Sequence, residues 1–397
     1  MENSWEYKKL IDLGTFSRGI SKHRPRNDQI LFENGKYPFI QTGDVKKANL
    51  YIKSNSDFYN ETGLAQSKLW PAGTLCITIA ANIAETGILA YPMCFPDSIV
   101  GFTANKKVSS EIFMYYVFEY LKQQIQNQAS GSIQDNINID YLTNLVLQVP
   151  DKQSQDNIVD ILSTLDKKII NNEEIISKLK MMVETIYDYW FLQFEFPNEE
   201  GKPYNSSGGK MVWNEELQQE IPEGWGSAKL KDVIVENPKS KIKVGDVKNI
   251  GEVPFFTSGA EILSTNDSIV SGLNCYLNTG GNADVKYYYG EASYSTDTWC
   301  ITAEDGMKYI LPFILDKIKP SMDKVFFQGT GLRHLQKNLL REYSLCIPDN
   351  DVLKKFEKIA RDIFVQQHSL LAENRKLESL KGFLLPLLMN GQVTVGE

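Results

Sequence analysis

The sequence predicts an α+β protein in which two globular domains alternate with two long helices that pair as an antiparallel coiled coil. Three observations carry this prediction: an internal repeat, a heptad pattern in both copies of the repeat, and strand-like runs in the segment before each copy. A chain of 397 residues has room for two to three domains with ordinary hydrophobic cores.

The repeat relates the middle of the chain to its end at a constant shift of 198 residues. Residues 149–191 begin VPDKQSQDNIVDILSTLDKKI, and residues 347–389 begin IPDNDVLKKFEKIARDIFVQQ. Because the shift is about half the chain, one architecture is used twice, and we expect a pseudo-twofold internal repeat.

The first globule is predicted over residues 1–149. Residues 74–79 form an apolar and β-branched run next to a glycine turn, which is typical of a strand. Apolar residues from Glu111 to Asn127 follow a helical period instead. The globule therefore combines strands with at least one packed helix.

The first long helix is predicted over residues 150–195, where apolar side chains recur at alternating steps of four and three. The seam of this heptad pattern consists of Ile158, Leu162, Leu165, Ile169, Asn172, Ile176, Leu179, Val183, Ile186 and Trp190. Such a seam predicts a coiled coil, and about 40 residues at ~1.5 Å each give a rod of about 60 Å. Asn172 either sets the register or faces solvent on a merely amphipathic helix.

A connector over residues 196–223 precedes the second globule, residues 224–347. Tyr204 and Trp213 are poor residues for a flexible tether, so we expect the connector to be ordered. The second globule repeats the strand signal at residues 274–277. A helix should begin near Met307 and be broken at Pro312 and Pro320.

The second long helix is predicted over residues 348–397. Its more polar seam consists of Phe356, Ala360, Ile363, Gln367, Leu370, Asn374, Leu377, Lys381, Leu384 and Leu388. The seam becomes more apolar if it drifts onto Ile359, Leu380 and Leu387. Asn374, like Asn172, either sets the register or faces solvent. Pro386 should bend or end the helix.

Charge and composition exclude several protein classes. The net charge is −8, but the acidity is confined to residues 150–223, with 7 basic and 15 acidic residues, so both globules are neutral and can carry a basic face. No apolar run is long enough to span a membrane, and five scattered cysteines suit a reducing compartment. We expect a cytoplasmic protein with no membrane partner.

Several short sequence segments resemble those of the specificity subunit of type I restriction-modification systems. They include Tyr189-Trp190-Phe191, Ser207-Gly208-Gly209-Lys210, Ile221-Pro222-Glu223-Gly224-Trp225 and Gly329-Thr330-Gly331-Leu332-Arg333-His334-Leu335. Together with the order globule, helix, globule, helix, the resemblance covers essentially the full length.

The resemblance implies that each globule is a target recognition domain that reads one half of a split, asymmetric target in double-stranded DNA. It also implies that the helices fix the gap between half-sites and dock two methyltransferase (M) subunits. Restriction/translocase (R) subunits would complete the enzyme, and this chain would be a non-catalytic DNA-binding subunit of a DNA modification and restriction system.

Candidate DNA contacts follow from side-chain chemistry, because lysine and arginine bind phosphates while amides and guanidinium groups read base edges. In the first globule they are Arg18, Lys22, His23, Arg24, Arg26, Lys46, Lys47, Gln134 and Asn136. In the second they are Lys239, Lys241, Lys243, Lys248, Arg333 and His334. A strand would place the alternating lysines at 239, 241 and 243 on one face. A solvated loop is the alternative for the lysines, for the arginines of the first globule and for His23. For the turns that hold Gln134, Asn136, Arg333 and His334 the alternative is structural, with glycines that let each loop pack against the start of the helix.

The sequence predicts no catalytic residues, metal site or cofactor. The chain lacks the motifs of an adenine methyltransferase and of a motor ATPase, and its three histidines are dispersed. The alternative function is a non-catalytic coiled-coil assembly adaptor that binds protein or carbohydrate.

Overall fold

The structure is a computed structural model that describes residues 5–130 and 137–393. By its contacts the chain divides into two compact units, Met1–Asn171 with Lys376–Glu397, and Asn172–Arg375. Each unit contains one globule and parts of both long helices. The mixture of sheets and long helices confirms the predicted α+β class.

The first globule contains eleven strands and four helices within its described residues. The strands are β1 (Glu6–Lys9), β2 (Gly14–Arg18), β3 (Tyr37–Phe39), β4 (Tyr51–Ile52), β5 (Asp57–Tyr59), β6 (Leu69–Trp70), β7 (Leu75–Thr78), β8 (Thr86–Leu89), β9 (Met93–Cys94), β10 (Ile99–Ala104) and β11 (Val146–Val149). The helices are α1 (Thr42–Lys46), α2 (Glu61–Ala65), α3 (Glu111–Ser130) and α4 (Ile139–Asn144).

Two sheets and a ribbon organise this globule. The central sheet has the order β2-β10-β7-β8-β4, a second sheet has the order β5-β3-β9-β6, and β1 pairs with β11. Strand β7 is buried along its whole length, as its apolar sequence predicts. Helix α3 packs on the central sheet through Phe113, Val117 and Leu121, which confirms the predicted helix.

The first long helix, α5 (Lys152–Tyr187), continues into a π-helical turn at Asp188–Leu192. After it comes the connector, whose hairpin is formed by β12 (Met211–Asn214) and β13 (Gln219–Pro222). The ring of Phe196 stacks on those of Tyr204 and Trp225, at centroid distances of 4.6 and 5.1 Å. The prediction of an ordered connector is therefore confirmed.

The second globule repeats the central part of the topology of the first, with one strand fewer in each of its two sheets and an additional ribbon, β22-β23. Its strands are β14 (Gly226–Lys229), β15 (Ile234–Glu236), β16 (Val253–Phe256), β17 (Ile262–Thr265), β18 (Leu273–Asn278), β19 (Val285–Tyr289), β20 (Ser293–Tyr294), β21 (Thr298–Ala303), β22 (Phe327–Gln328), β23 (His334–Leu335) and β24 (Ser344–Ile347). Its helices are α6 (Leu230–Val233), α7 (Met307–Ser321) and α8 (Lys337–Arg341). The sheet β15-β21-β18-β19 matches β2-β10-β7-β8, and the ribbon β14-β24 matches β1-β11.

The predicted breaks at Pro312 and Pro320 are wrong, because α7 contains both prolines. Each proline removes one backbone hydrogen bond and strains the preceding turn. Residues 309–315, including Pro312, are buried and pack on the sheet. At roughly 1.5–3 kcal/mol for each large apolar side chain, this burial outweighs the loss.

The second long helix is α9 (Asn350–Met389), and Pro386 lies in its last turn. In each unit α5 and α9 run antiparallel, with Ile158 and Leu388 in one core and Val183 and Ile363 in the other. No residue of either predicted seam is exposed. The suggested drift onto Leu380 is wrong, since 44% of that residue is exposed while Leu377 and Lys381 stay on the seam.

Candidate nucleic-acid interface

Three chain segments meet at one end of the central sheet in the first globule: the turn after β7, the residue before β10 and the segment that leads into α4. The backbone N–H of Ile79 donates to the carbonyl of Ser98 at 3.0 Å. The N–H of Ile137 donates to the carbonyl of Ile79 at 2.9 Å. These bonds fix the three segments to one another, and we call their meeting point the loop edge of the first globule.

The second globule builds the same loop edge from corresponding segments. The N–H of Thr279 donates to the carbonyl of Asp297 at 3.2 Å, and the N–H of Leu335 donates to the carbonyl of Thr279 at 3.1 Å. The turn after the central strand is shared as well, because Ala81 (φ 58°) and Gly281 (φ 84°) both adopt the left-handed conformation. Since an alanine rarely adopts it, the surrounding bonds hold this turn in a fixed shape.

In the first globule the loop edge borders a cleft of about 520 Å³. Its lining consists of Arg18, Arg26, Ile79, Ala80, Asp97, Ser98, Ile137 and Asn138. Arg18 is the last residue of β2 and is exposed. Arg26 pairs with Asp97, with Nη2 and Oδ1 2.6 Å apart, and Arg24 lies 3.7 Å from the same carboxylate. The structure therefore brings three of the predicted arginines together.

An adjoining cleft of about 670 Å³ shares Arg26 and Ser98 with the first. It has aromatic groups at Phe32 and Phe39, with amides and carboxylates around them, and its remaining lining is Ser21, Asn27, Gln29, Glu33, Gln41, Thr42, Asp57 and Pro96. Amides and carboxylates can accept or donate hydrogen bonds at the edges of bases. Sequence inspection missed Asp97, Ser98 and these cleft residues, because they come from segments far apart in the chain.

The other predicted cations of the first globule lie outside both clefts. His23 pairs with Asp28 at 2.9 Å, and this hydrogen bond holds the pKa of Asp28 below its usual value. Lys22 is exposed beside it, whereas Lys46 and Lys47 are exposed at the end of α1. Gln134 and Asn136 fall at positions 131–136, outside the described residues.

Arg333 ties together two loops of the second globule. Its guanidinium contacts the carboxylate of Asp323 at 3.1 Å and the side-chain oxygen of Asn282 at 2.9 Å. Asp323 also accepts from the N–H of Ala283, and this bond is the first cause of the lowered pKa of Asp323. Arg333 thus has a positioning role, while the neighbouring His334 is exposed.

The lysines at 239, 241 and 243 do not lie on a strand, and that prediction is wrong. Pro238 has no N–H to donate to a neighbouring strand, and the carbonyl of Ile242 accepts from the N–H of Thr296 in the loop between β20 and β21. The three side chains still alternate with a buried Ser240 and a half-buried Ile242, so all three are exposed. Lys248 is exposed in the loop that follows.

Comparison with known proteins gives the relationship. A sequence model described as "Type I restriction modification DNA specificity domain" matches residues 2–181. Over nearly its full length, the chain is similar to type I restriction enzyme specificity subunits. It is 23% identical to the type I restriction enzyme MjaIX specificity subunit of Methanocaldococcus jannaschii, over 99% of this chain and 94% of that one. It is 22% identical to the HindI specificity subunit of Haemophilus influenzae, over 97% and 99%.

Among solved structures, the chain is similar to the type I S subunit of M. genitalium. The TM-score is 0.60 at 15% sequence identity, and the match covers 98% of this chain and 96% of that one. At this identity the likeness shows the fold alone.

Within residues 5–130 and 137–393, no group of three or more His, Cys, Asp or Glu side chains is placed to hold a metal ion. No helix over those residues is long and apolar enough to cross a membrane.

Proposed function

We propose that the chain is a type I specificity subunit that reads a split, asymmetric target in double-stranded DNA, with one half-site for each globule. The observation that carries this proposal is the shared loop edge, which has the same backbone bonds in both globules but different side chains. Because the two globules share this backbone arrangement but differ in its side chains, they could recognise two different DNA sequences in the same way. The chain would need no catalytic centre of its own.

The proposed division follows the predicted boundaries. Residues 1–149 and 224–347 are the readers, residues 150–195 and 348–397 are the spacers, and residues 196–223 are the connector. The clefts at Arg18 and Arg26 are proposed to read bases, and the exposed lysines at 22, 46, 47, 239, 241, 243 and 248 to contact phosphates.

We propose that the paired helices hold the two readers at one separation. Helix α9 has 40 residues, which at ~1.5 Å each extend about 60 Å, close to two turns of B-DNA at ~34 Å per turn. The heptad pattern supports this role, because it continues through the sequence of both helices and predicts a paired rod.

Exposed apolar residues on the helices are the proposed docking sites for two M subunits. On α5 they are Met181 and Met182, which are 55% and 53% exposed, and on α9 they are Leu380 and Phe383, which are 44% and 65% exposed. The repeat places Leu380 at the position of Met182, so each helix offers a related patch. Two related patches suit two copies of one partner. R subunits would join the assembled complex.

The experiment is a salt titration of duplex binding by the co-expressed complex with its M subunits, comparing the wild type with R18A. Because Arg18 is proposed to read a base edge, R18A should weaken binding to the target duplex by roughly 1–3 kcal/mol and change the slope of log K against log salt little. The control is K354A, whose lysine side chain is 71% exposed on α9 and should leave binding unchanged. Absence of salt-dependent duplex binding by the wild-type complex would contradict the proposal.

A further inference from the structure

The seam between α5 and α9 contains a polar layer that the internal repeat does not duplicate. Asn172 is fully buried, and its Nδ2 donates to Oδ1 of Asn374 and to Oε2 of Glu373, both at 2.8 Å. In an antiparallel helix pair, the register of this layer pairs Ile176 with Leu370 one turn away. These two layers are each other's counterparts under the 198-residue shift, because Asn172 corresponds to Leu370 and Asn374 to Ile176.

A second contact breaks the repeat in the same way. The Nζ of Lys381 lies 2.6 Å from Oδ1 of Asp166, whose side chain is 7% exposed. The same shift maps Asp166 onto Phe364 and Lys381 onto Val183. Those two residues belong to the apolar core of the second unit. An ion pair in one unit thus corresponds to an apolar contact in the other.

Because the two helices are copies of one another, each could also pair antiparallel with the same helix of another molecule. In an α5–α5 pair, the shift places Ile176 opposite Asn172 and Val183 opposite Asp166. The other α5 seam residues are all apolar, so Asn172 is the single polar residue that opposes this pairing from within the seam. In an α9–α9 pair, Leu370 would face Asn374, and Phe364 would face Lys381.

We propose that these two polar contacts make the helix pairing exclusive, so that α5 accepts α9 and rejects a second copy of itself. A twofold homotypic pair would bury two asparagines against aliphatic side chains and leave two ionic groups without their partners. A buried amide that loses its hydrogen bond lowers a folding or pairing equilibrium constant by roughly 10- to 100-fold. This selectivity favours an intact chain with two different readers over symmetric dimers, and it is independent of DNA binding.

Full-length variants reproduce each homotypic layer inside the native chain. N374I places isoleucine opposite Asn172, as in an α5–α5 pair, and N172L places leucine opposite Asn374, as in an α9–α9 pair. Each should lower the folding equilibrium constant by about 10- to 100-fold. The double variant N172L/N374I repeats the apolar layer of Ile176 and Leu370, and it should recover wild-type stability or exceed it.

The second readout is exchange between molecules, which a merely structural role would not change. Two copies with different affinity tags are unfolded together, refolded at high protein concentration and recovered through one tag. We expect few mixed-tag molecules for the wild type and a several-fold increase for N172L/N374I. The matched control is I363L/L384I, which introduces the α5 counterparts at two layers that are apolar in the native pair and in the α5–α5 pair, and it should change neither readout.

Either of two results would overturn the proposal. One is wild-type stability of both single variants, which would remove the energetic basis. The other is a mixed-tag fraction for N172L/N374I equal to that of the wild type, which would leave the asparagines with a packing role alone.

Discussion

Replacing Lys381 with methionine should destabilise the first unit, because it removes the ionic partner of a buried carboxylate. The Nζ of Lys381 lies 2.6 Å from Asp166, and the side chains are 25% and 7% exposed. The other oxygen of Asp166 accepts from the hydroxyl of Tyr116, also at 2.6 Å. Burial and the neighbouring carboxylate raise the pKa of Tyr116, so this hydroxyl remains protonated and keeps donating.

The loss of folding free energy in K381M depends on which partners of Asp166 are removed and which remain. Removing one partner of a buried ion pair costs roughly 3–5 kcal/mol. The bond from Tyr116 remains and Lys381 is partly exposed, which reduces the cost to about 2–3 kcal/mol. For a unit of this size, ~2–4 °C per kcal/mol gives a fall in melting temperature of about 5–10 °C.

The assay is thermal and urea unfolding of the full-length protein, followed by circular dichroism. The control is K354M, because Lys354 forms only a loose surface pair with Asp351 at 3.7 Å and should change stability by less than about 1 kcal/mol. D166N/K381M should recover part of the loss, since it removes the buried charge while retaining an acceptor for Tyr116. Wild-type stability of K381M would refute the reasoning.

Three further predictions address the connector, the docking patches and the spacer. The hydrogen bond from Lys229, with those from two serines, lowers the pKa of Glu216 to about 2 from a usual value of 4.5. The stability that the ionised Glu216 contributes should be complete above pH 4.5 and be lost as the pH falls towards 2. E216Q should therefore flatten the dependence of the unfolding midpoint on pH in that interval. An unchanged pH profile would show that Glu216 does not contribute this stability. F383A should weaken co-purification of the M subunit without altering the melting temperature, and a stable complex of normal yield would argue against that patch. Inserting one heptad into both helices should lengthen the tolerated gap between half-sites and alter neither half, which selection on a library of gap lengths measures.

The sequence predicted the helices well because a heptad pattern depends on spacing alone. The sequence leaves two alternatives for Asn172 and Asn374: they set the register of the helix pair, or they face solvent. The hydrogen bond between their side chains favours the first alternative. The prediction of breaks in α7 was wrong because it considered only the local effect of each proline. The buried side chains that stabilise this helix contact strands that are distant in sequence.

The loop edge was harder to predict from sequence. Asp97 and Ser98 join Arg18 and Arg26 only after three separate segments have folded together. The sequence predicts Arg333 as a DNA contact, whereas in the structure its guanidinium pairs with Asp323, in the π-helical turn at the end of α7. Clustered lysines and arginines in the sequence indicate a basic surface. The folded structure is needed to show which of these side chains form ion pairs within the protein.

The most direct test of the account is a methylation map. The chain is co-expressed with its M subunit, and methylated adenines in genomic DNA are mapped before and after residues 224–347 are exchanged for the second globule of another specificity subunit. Two readers on a common spacer predict a split, asymmetric motif in which the exchange changes one half and leaves the other half and the gap intact. An unsplit motif, or a change in both halves, would contradict independent reading by the two globules.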